Sequence, residues 1–405
     1  MTFTPRSIAL CAGLACAAGV SNVSAQISDD VIRIGFISDM SGVYRDYDGP
    51  AGTEAIQMAI ADMGGAIHGK KIELVTADHQ NKADIAAAKA REWFDVNKVD
   101  MLIGGVGSGA ALAMAGVARD KAKPYFVVGA GASPLTNEQC SPYTVHYAYD
   151  TVAMARGTAS AVLKSGGKRW YFVTADYAFG NSLQADASKV LESGGGSVAG
   201  AVKHPLGASD FSSYMLQAQA AKPDVLALAN AGGDTVNAIK SAAEFGLAQK
   251  MKLAGMIITI QDVHALGLKT AQGMYLTDSW YWDQSPEASA WAQRFFGKHK
   301  RMPTSFHAGD YSAALQYLKA VQASGSDDGD KVMAQLKKTR FNDMFVQDGW
   351  LRGDGLMVHD MHLMQVKTPA ESKKPWDYYK VVETIRGEAA WTTKAETRCT
   401  AWKNS

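Results

Sequence analysis

The chain has 405 residues, 47% hydrophobic and 20% charged, with 41 Lys plus Arg against 40 Asp plus Glu. This is an ordinary globular composition, long enough for two domains. The charge balance, with both signs interspersed, gives no basis for nucleic acid or an acidic membrane surface as partner.

Residues 1–25 stand apart. Arg6 precedes an uncharged apolar run from Ser7 to Val20, and Val23-Ser24-Ala25 presents small or modest residues at −3 and −1. The pattern predicts a secretory signal peptide cleaved after Ala25, hence a periplasmic mature chain. The run is too short to span a membrane comfortably, and Gly13-Leu14-Ala15 before Cys16 is a poor lipobox. No later apolar run approaches 18 residues, so the mature chain is expected to be soluble. Cleavage leaves two of the four cysteines, Cys140 and Cys399. An even pair in an exported protein predicts one disulfide, the alternative being two buried thiols.

Val31–Ile37 alternates and is rich in β-branched residues, so it reads as the first strand. A polar and aromatic loop follows from Ser38 to Pro50, then a helix from about Ala51 to Met63. Lys71–Ala77 reads as a strand and Lys82–Asp95 as a helix. Asp100–Asn137 organises the rest. MLIGG is an apolar run ending in glycines, VGSGAALAMAGVARDKAK a helix, and PYFVVGAGAS a second run ending in small residues. In an open α/β sheet both turns fall at the carboxyl edge of the strands, where ligands bind. Ser108 sits where the helix begins, and the unpartnered N–H groups there can hold an anion.

A second cycle begins at Asp150. Thr151–Lys164 reads as helix, Lys168–Thr174 as strand, then a helix to about Glu192 and a strand Ser197–Lys203. A helix over Asp210–Ala221, a strand Pro223–Ala229, a helix to Phe245, and strands Lys252–Ile260 and Gly273–Thr277 complete it. Helices over Pro286–Lys298 and His307–Gln322 and a third ending at Thr339 follow. Met357–Val366 and Tyr378–Val382 form a hairpin, with Thr368–Trp376 as a mobile loop between them. Two βα cycles predict two doubly wound parallel-sheet lobes facing each other across a cleft.

Enzymatic readings fare poorly. Gly105–Ala110 fits a relaxed dinucleotide fingerprint, but the next strand ends in Val128-Gly129-Ala130 without the acid that would hold the ribose. No G-x-S-x-G elbow or H-E-x-x-H helix is present. His359 and His362 point to opposite faces of a strand, so they are expected to be surface histidines, not metal ligands. No cofactor and no metal are expected.

The stretches IGFISDMSGVYRDYDGPAGTEAIQMAI, MLIGGVGSGAAL, PYFVVGAGASPLTN, VTADYAFGNS, DVLALANAGGDTVNAIKSAAEFGL, VHALGLKTAQGMYLTDSWYWD and GDYSAALQYLKAV, in this order and spacing, carry a resemblance. The chain resembles the Leu/Ile/Val-type solute-binding proteins of bacterial ABC importers over essentially its whole mature length. The resemblance implies a clamshell with three crossovers, near Tyr149, Thr277 and Val346. One lobe takes residues 26–149 and 282–345, the other 150–281 and 346–405. It implies reversible binding without chemistry by a monomer that docks on an ABC permease and ATPase complex.

The resemblance places Ser108, Ala130 and Ala132 at a ligand carboxylate and Tyr47 in the side-chain pocket. Tyr177 or Phe179, and Asp234, lie across the cleft, and Trp280 near a hinge strand. Amino-acid binders of this kind carry a carboxylate after the strand equivalent to 252–256. Here that stretch reads GMIITI, with no acid until Asp262. Burying an unpaired ammonium is costly, which favours an acid with an apolar or aromatic body. Asp234 is the carboxylate that could replace the missing one, which keeps branched-chain or other amino acids as the alternative. A ligand sensor that signals to a receptor would share the same fold and site.

Overall fold

The structure, a computed structural model, describes residues 1–2 and 26–404. Apart from Met1 and Thr2, the expected signal peptide and its cleavage point lie outside the described residues. Among the described residues no helix is long and apolar enough to cross a membrane.

The first lobe begins β1 (Val31–Ser38), α1 (Gly49–Asp62), β2 (Ala66–Ile67), β3 (Lys70–Asp78), α2 (Ala83–Asp95), β4 (Met101–Gly104), α3 (Ser108–Asp120), β5 (Tyr125–Val127) and β6 (Thr144–His146). Its sheet has the order β2-β3-β1-β4-β5-β6, parallel except for β2. Strand β1 alternates at its start and is then buried on both faces, as helices on both sides of a parallel sheet require. Gly35 in β1 lets the α2 layer close on the sheet: a Cβ there would stand 2.7 Å from Leu102 and Trp93.

After Asp150 the chain forms α4 (Thr151–Met154), a π turn (Ala155–Ala159), α5 (Ser160–Lys164), β7 (Arg169–Ala175), α6 (Ala178–Ser193), β8 (Ser197–His204), α7 (Ser212–Ala221), β9 (Val225–Ala229), α8 (Gly233–Glu244), β10 (Lys252–Gly255), α9 (Ile260–Leu266), α10 (Leu268–Ala271) and β11 (Tyr275–Asp278). Strands β10-β9-β7-β8 make the second parallel sheet. The strand expected over Lys252–Ile260 stops at Gly255. Thr259 and Asp262 form a reciprocal capping box that starts α9 instead.

The chain then returns through α11 (Pro286–His299), α12 (Ser305–Ser324), α13 (Gly329–Lys338), β12 (Arg340–Phe341), β13 (Gly349–Leu351), β14 (Met357–Val358), β15 (Met361–Val366), β16 (Tyr379–Ile385) and α14 (Thr400–Lys403). Helix α12 is buried along nearly its whole length and packs on α1. The run Met357–Val366, expected to be one strand, is two. Strand β14 pairs with β13, and Leu356 bridges to His146 at the edge of the first sheet. Strand β15 pairs with β11 and β16 in the second lobe. The polar pair His359-Asp360 divides them, so the chain crosses there and not near Val346, and residues 349–358 lie with the first lobe.

The last residues also return to the first lobe. Asn137 Oδ1 accepts from the Arg398 N–H at 3.1 Å, Arg398 pairs with Glu138 at 2.7 Å, and Cys140 is joined to Cys399. Arg156 holds Glu396 and the Trp391 carbonyl on the way. His359 is 4% exposed and packs against Phe345 and Trp391, so the expectation of a surface histidine fails. Its run is a crossover between lobes, and crossovers are covered on both sides. The Thr368–Trp376 loop is tied down by Lys380–Glu371 and by Trp376, which stacks on His264.

Candidate functional site

A small cavity of about 10 Å³, room for roughly one water, lies between the lobes. The first lobe lines it with Tyr44 and Tyr47 from the β1–α1 loop, Val106 to Ser108 from the β4–α3 turn, Gly129 after β5, and Tyr149 from the first crossover. The second lobe contributes Tyr177 and Phe179 from the β7–α6 turn and Ala231 after β9. All of these turns are at the carboxyl ends of strands. None of the lining side chains is charged.

The loops are positioned by Asp48. It accepts hydrogen bonds from the Gly49 N–H at 2.6 Å, the Ser38 hydroxyl at 2.5 Å and the Val106 N–H at 3.2 Å, tying the β1–α1 loop to the β4–α3 turn. Burial pushes its carboxyl up to about 6, against the pull of these donors. Gly107 caps α3 from φ 99°, where a Cβ would strike Asn81 Oδ1 at 2.1 Å. Ser108 is therefore the first helical residue and not the cap. Its Oγ accepts the Ala132 N–H at 3.3 Å, which leaves the hydroxyl hydrogen for a further acceptor.

The lobes touch across the cavity. The Tyr44 and Tyr177 hydroxyls bond each other. The Tyr47 hydroxyl donates to Asp262 Oδ2 at 2.8 Å and accepts the Gly232 N–H at 2.6 Å. Ser133 and Ser182 meet at 3.1 Å nearer the first crossover. Desolvation raises the phenols of Tyr44, Tyr47, Tyr149 and Tyr177 well above their ordinary value, so all four stay neutral. Asp262 is likewise pushed up to about 6 by burial.

Of the residues singled out in the sequence, Tyr47, Ser108, Tyr177 and Phe179 are brought together in this cavity. Ala130 and Ala132 are buried behind it: the Ala130 carbonyl is bonded to His146, and the Ala132 N–H reaches Ser108. Asp234 is not among the lining residues and accepts the Gly207 N–H at 3.1 Å, though its charge acts on Tyr44 and Tyr177. Trp280 donates its indole N–H to the Met344 carbonyl at 3.0 Å and meets Trp291 edge-on, away from the lining. Tyr44, Tyr149 and Ala231 line the cavity but were not singled out. Tyr149 had a signal: an aromatic in a lobe crossover has the cleft beside it. Its hydroxyl donates to the Gly129 carbonyl at 3.0 Å.

The arrangement can bind, orient and desolvate a small solute. Ser108 has a backbone N–H and no base beside it, and among the described residues no cluster of His, Cys, Asp and Glu could hold a metal. Two parallel-sheet lobes, closed by hydrogen bonds over a cavity at their strand ends, define a hinged ligand-binding protein.

The chain belongs to the periplasmic binding protein family, whose model matches residues 31–374. This is a family of solute-binding proteins and not of enzymes. The chain is 62% identical to a periplasmic binding protein from Burkholderia mallei, over 92% of this chain and 99% of that one, with a TM-score of 0.91. It is 40% identical to a branched chain amino acid ABC transporter periplasmic ligand-binding protein from Burkholderia xenovorans LB400, over 91% and 99% of the chains, with a TM-score of 0.81. It is also 26% identical to Leu/Ile/Val-binding protein homolog 6 from Brucella melitensis biotype 1 over 254 residues, 61% of this chain. The match spans 64% of that curated relative's length.

Proposed function

We propose that this chain is the exported solute-binding component of an ABC importer, cleaved after Ala25, and that it holds a small carboxylate with an apolar or aromatic body between its lobes. The uncharged, mainly aromatic lining beside the start of α3 carries the reading. The carboxylate lies against the Ser108 hydroxyl and the first N–H groups of α3, favoured by the positive end of the helix. The rings of Tyr44, Tyr47, Tyr149, Tyr177 and Phe179 enclose the body. Ligand biases an open–closed equilibrium toward the form in which the lobes meet. The closed monomer then docks on its permease and ATPase complex.

The Burkholderia xenovorans relative supports a second reading, a branched-chain amino acid as ligand. Melting the purified protein with aromatic acids, short carboxylates and branched-chain amino acids separates the two, because a ligand of the folded state raises stability by mass action. Stabilisation by amino acids alone sinks the first reading. Stabilisation by no carboxylate sinks both. Pull-down of a permease separates importer from sensor.

A further inference from the structure

We propose that Tyr47 sets the specificity of this site by masking Asp262, so that the cavity takes acids without an α-ammonium and takes amino acids only when the ring is removed. The proposal rests on the carboxylate reading above and goes beyond it by assigning the discrimination to one side chain.

Tyr47 stands in the wall between two spaces. On one side is the small inner cavity. On the other is a larger pocket of about 330 Å³ at the cleft mouth, lined by Tyr47 together with Gly232, Gln261, Asp262, His264 and Arg301 among others. Asp262 borders the outer pocket only; Tyr47 borders both. The Tyr47 hydroxyl occupies the place a cationic donor would need, 2.8 Å from Asp262 Oδ2. The same oxygen also accepts the Thr259 N–H at 2.8 Å and the Thr259 hydroxyl at 2.9 Å.

The wall is firmly built. The Tyr47 ring stacks on Phe306 with centroids 5.3 Å apart, and the Tyr47 carbonyl accepts the Thr304 hydroxyl at 2.6 Å. Asp234 accepts the Gly207 N–H and is not among the lining residues, so it presents no carboxylate to the inner cavity. An α-ammonium in the inner cavity would meet ring faces and neutral hydroxyls but no carboxylate to balance its charge. Its charge would be buried without a counterion.

The test uses two matched pairs that differ only in the α-ammonium: leucine with 4-methylpentanoate, and phenylalanine with 3-phenylpropanoate. Titration calorimetry is run on the wild type, Tyr47→Phe, Tyr47→Ala and the double variant Tyr47→Ala/Asp262→Asn. The wild type is expected to prefer the deaminated member of each pair. Tyr47→Ala joins the two spaces and is expected to shift the ratio toward the amino acid by about 10-fold or more, the worth of one charge-assisted bond. Tyr47→Phe keeps the wall and is expected to shift it less. Asp262→Asn is expected to abolish the shift. Should Tyr47→Ala fail to fold, Tyr47→Leu, which keeps an apolar contact to Phe306, carries the same test. An unchanged ratio, or a shift that survives Asp262→Asn, overturns the proposal while the carboxylate reading stands. A wild type that binds neither member of either pair, or prefers both amino acids, overturns the two together.

Discussion

Replacing Ser108 by alanine tests the carboxylate subsite at one atom. Ser108 is 1% exposed, and its Oγ already accepts the Ala132 N–H, so the hydroxyl hydrogen is the part left for a ligand. Its loss removes one charge-assisted hydrogen bond, about 1.5–3 kcal/mol. That is a rise in Kd of roughly 10- to 100-fold. The fold loses little. The bond from Ala132 is long at 3.3 Å, worth about 0.5–1 kcal/mol, and alanine returns up to about 0.5 kcal/mol as the better helix former. Because Gly107 is the cap, no capping bond is lost. Titration calorimetry with the tightest ligand from the thermal screen, together with urea unfolding, reads both quantities. Ser108→Asp should bind more weakly still, with two carboxylates opposed in a dry site. Unchanged affinity in Ser108→Ala would place the carboxylate elsewhere.

Other outcomes follow from the same geometry. Cys140→Ser with Cys399→Ser opens a closure spanning 259 residues and should lower stability by about 2–5 kcal/mol in urea unfolding. Asp48→Asn should flatten the pH dependence of stability. The raised folded-state value of Asp48 means its contribution is full below about pH 4 and is lost as pH rises through about 6, a swing of up to about 3 kcal/mol at 1.36 kcal/mol per unit. Denaturation at a series of pH values checks it, and an unchanged profile would mean another acid carries that swing. Gly35→Ala forces a methyl against Trp93 and Leu102 and should cost about 1–3 kcal/mol of stability while leaving ligand affinity intact.

Much of the fold was legible because each strand and helix carried its own period. The β-branched run at Val31 and the alanine-rich helix after Ser108 need no partner to be recognised. The crossing at His359-Asp360 was hidden because MVHDMHLMQV reads locally as one strand. Only the pairing of β14 with β13 and of β15 with β11 divides it. The end of β10 was hidden in the same way, since Ile257 and Ile258 suit a strand, while the capping box that starts α9 lies beyond them. In the cavity, Tyr47, Ser108, Tyr177 and Phe179 could be picked out because they sit on strand-end loops or in the first turn of the helix that follows. Asp234 sits in such a first turn too, but it bonds the Gly207 N–H, a contact 27 residues away in sequence.

The covalent bond between Cys140 and Cys399 turns the chain into a ring with a long amino-terminal tail and a short carboxyl-terminal one. Both lobes contribute strands to that ring: β6 and β12–β14 from the first, β7–β11, β15 and β16 from the second. A protease cutting once in any segment between the two cysteines would leave a single connected molecule, and reduction would be needed before fragments part. Pulled by its ends, the oxidised protein can pay out only the residues outside the ring, because the 259-residue span between the cysteines, about 900 Å when fully extended, stays out of the line of force. The hinged half of the molecule is thus mechanically sheltered, and the load falls on the β1–β5 segment of the first lobe.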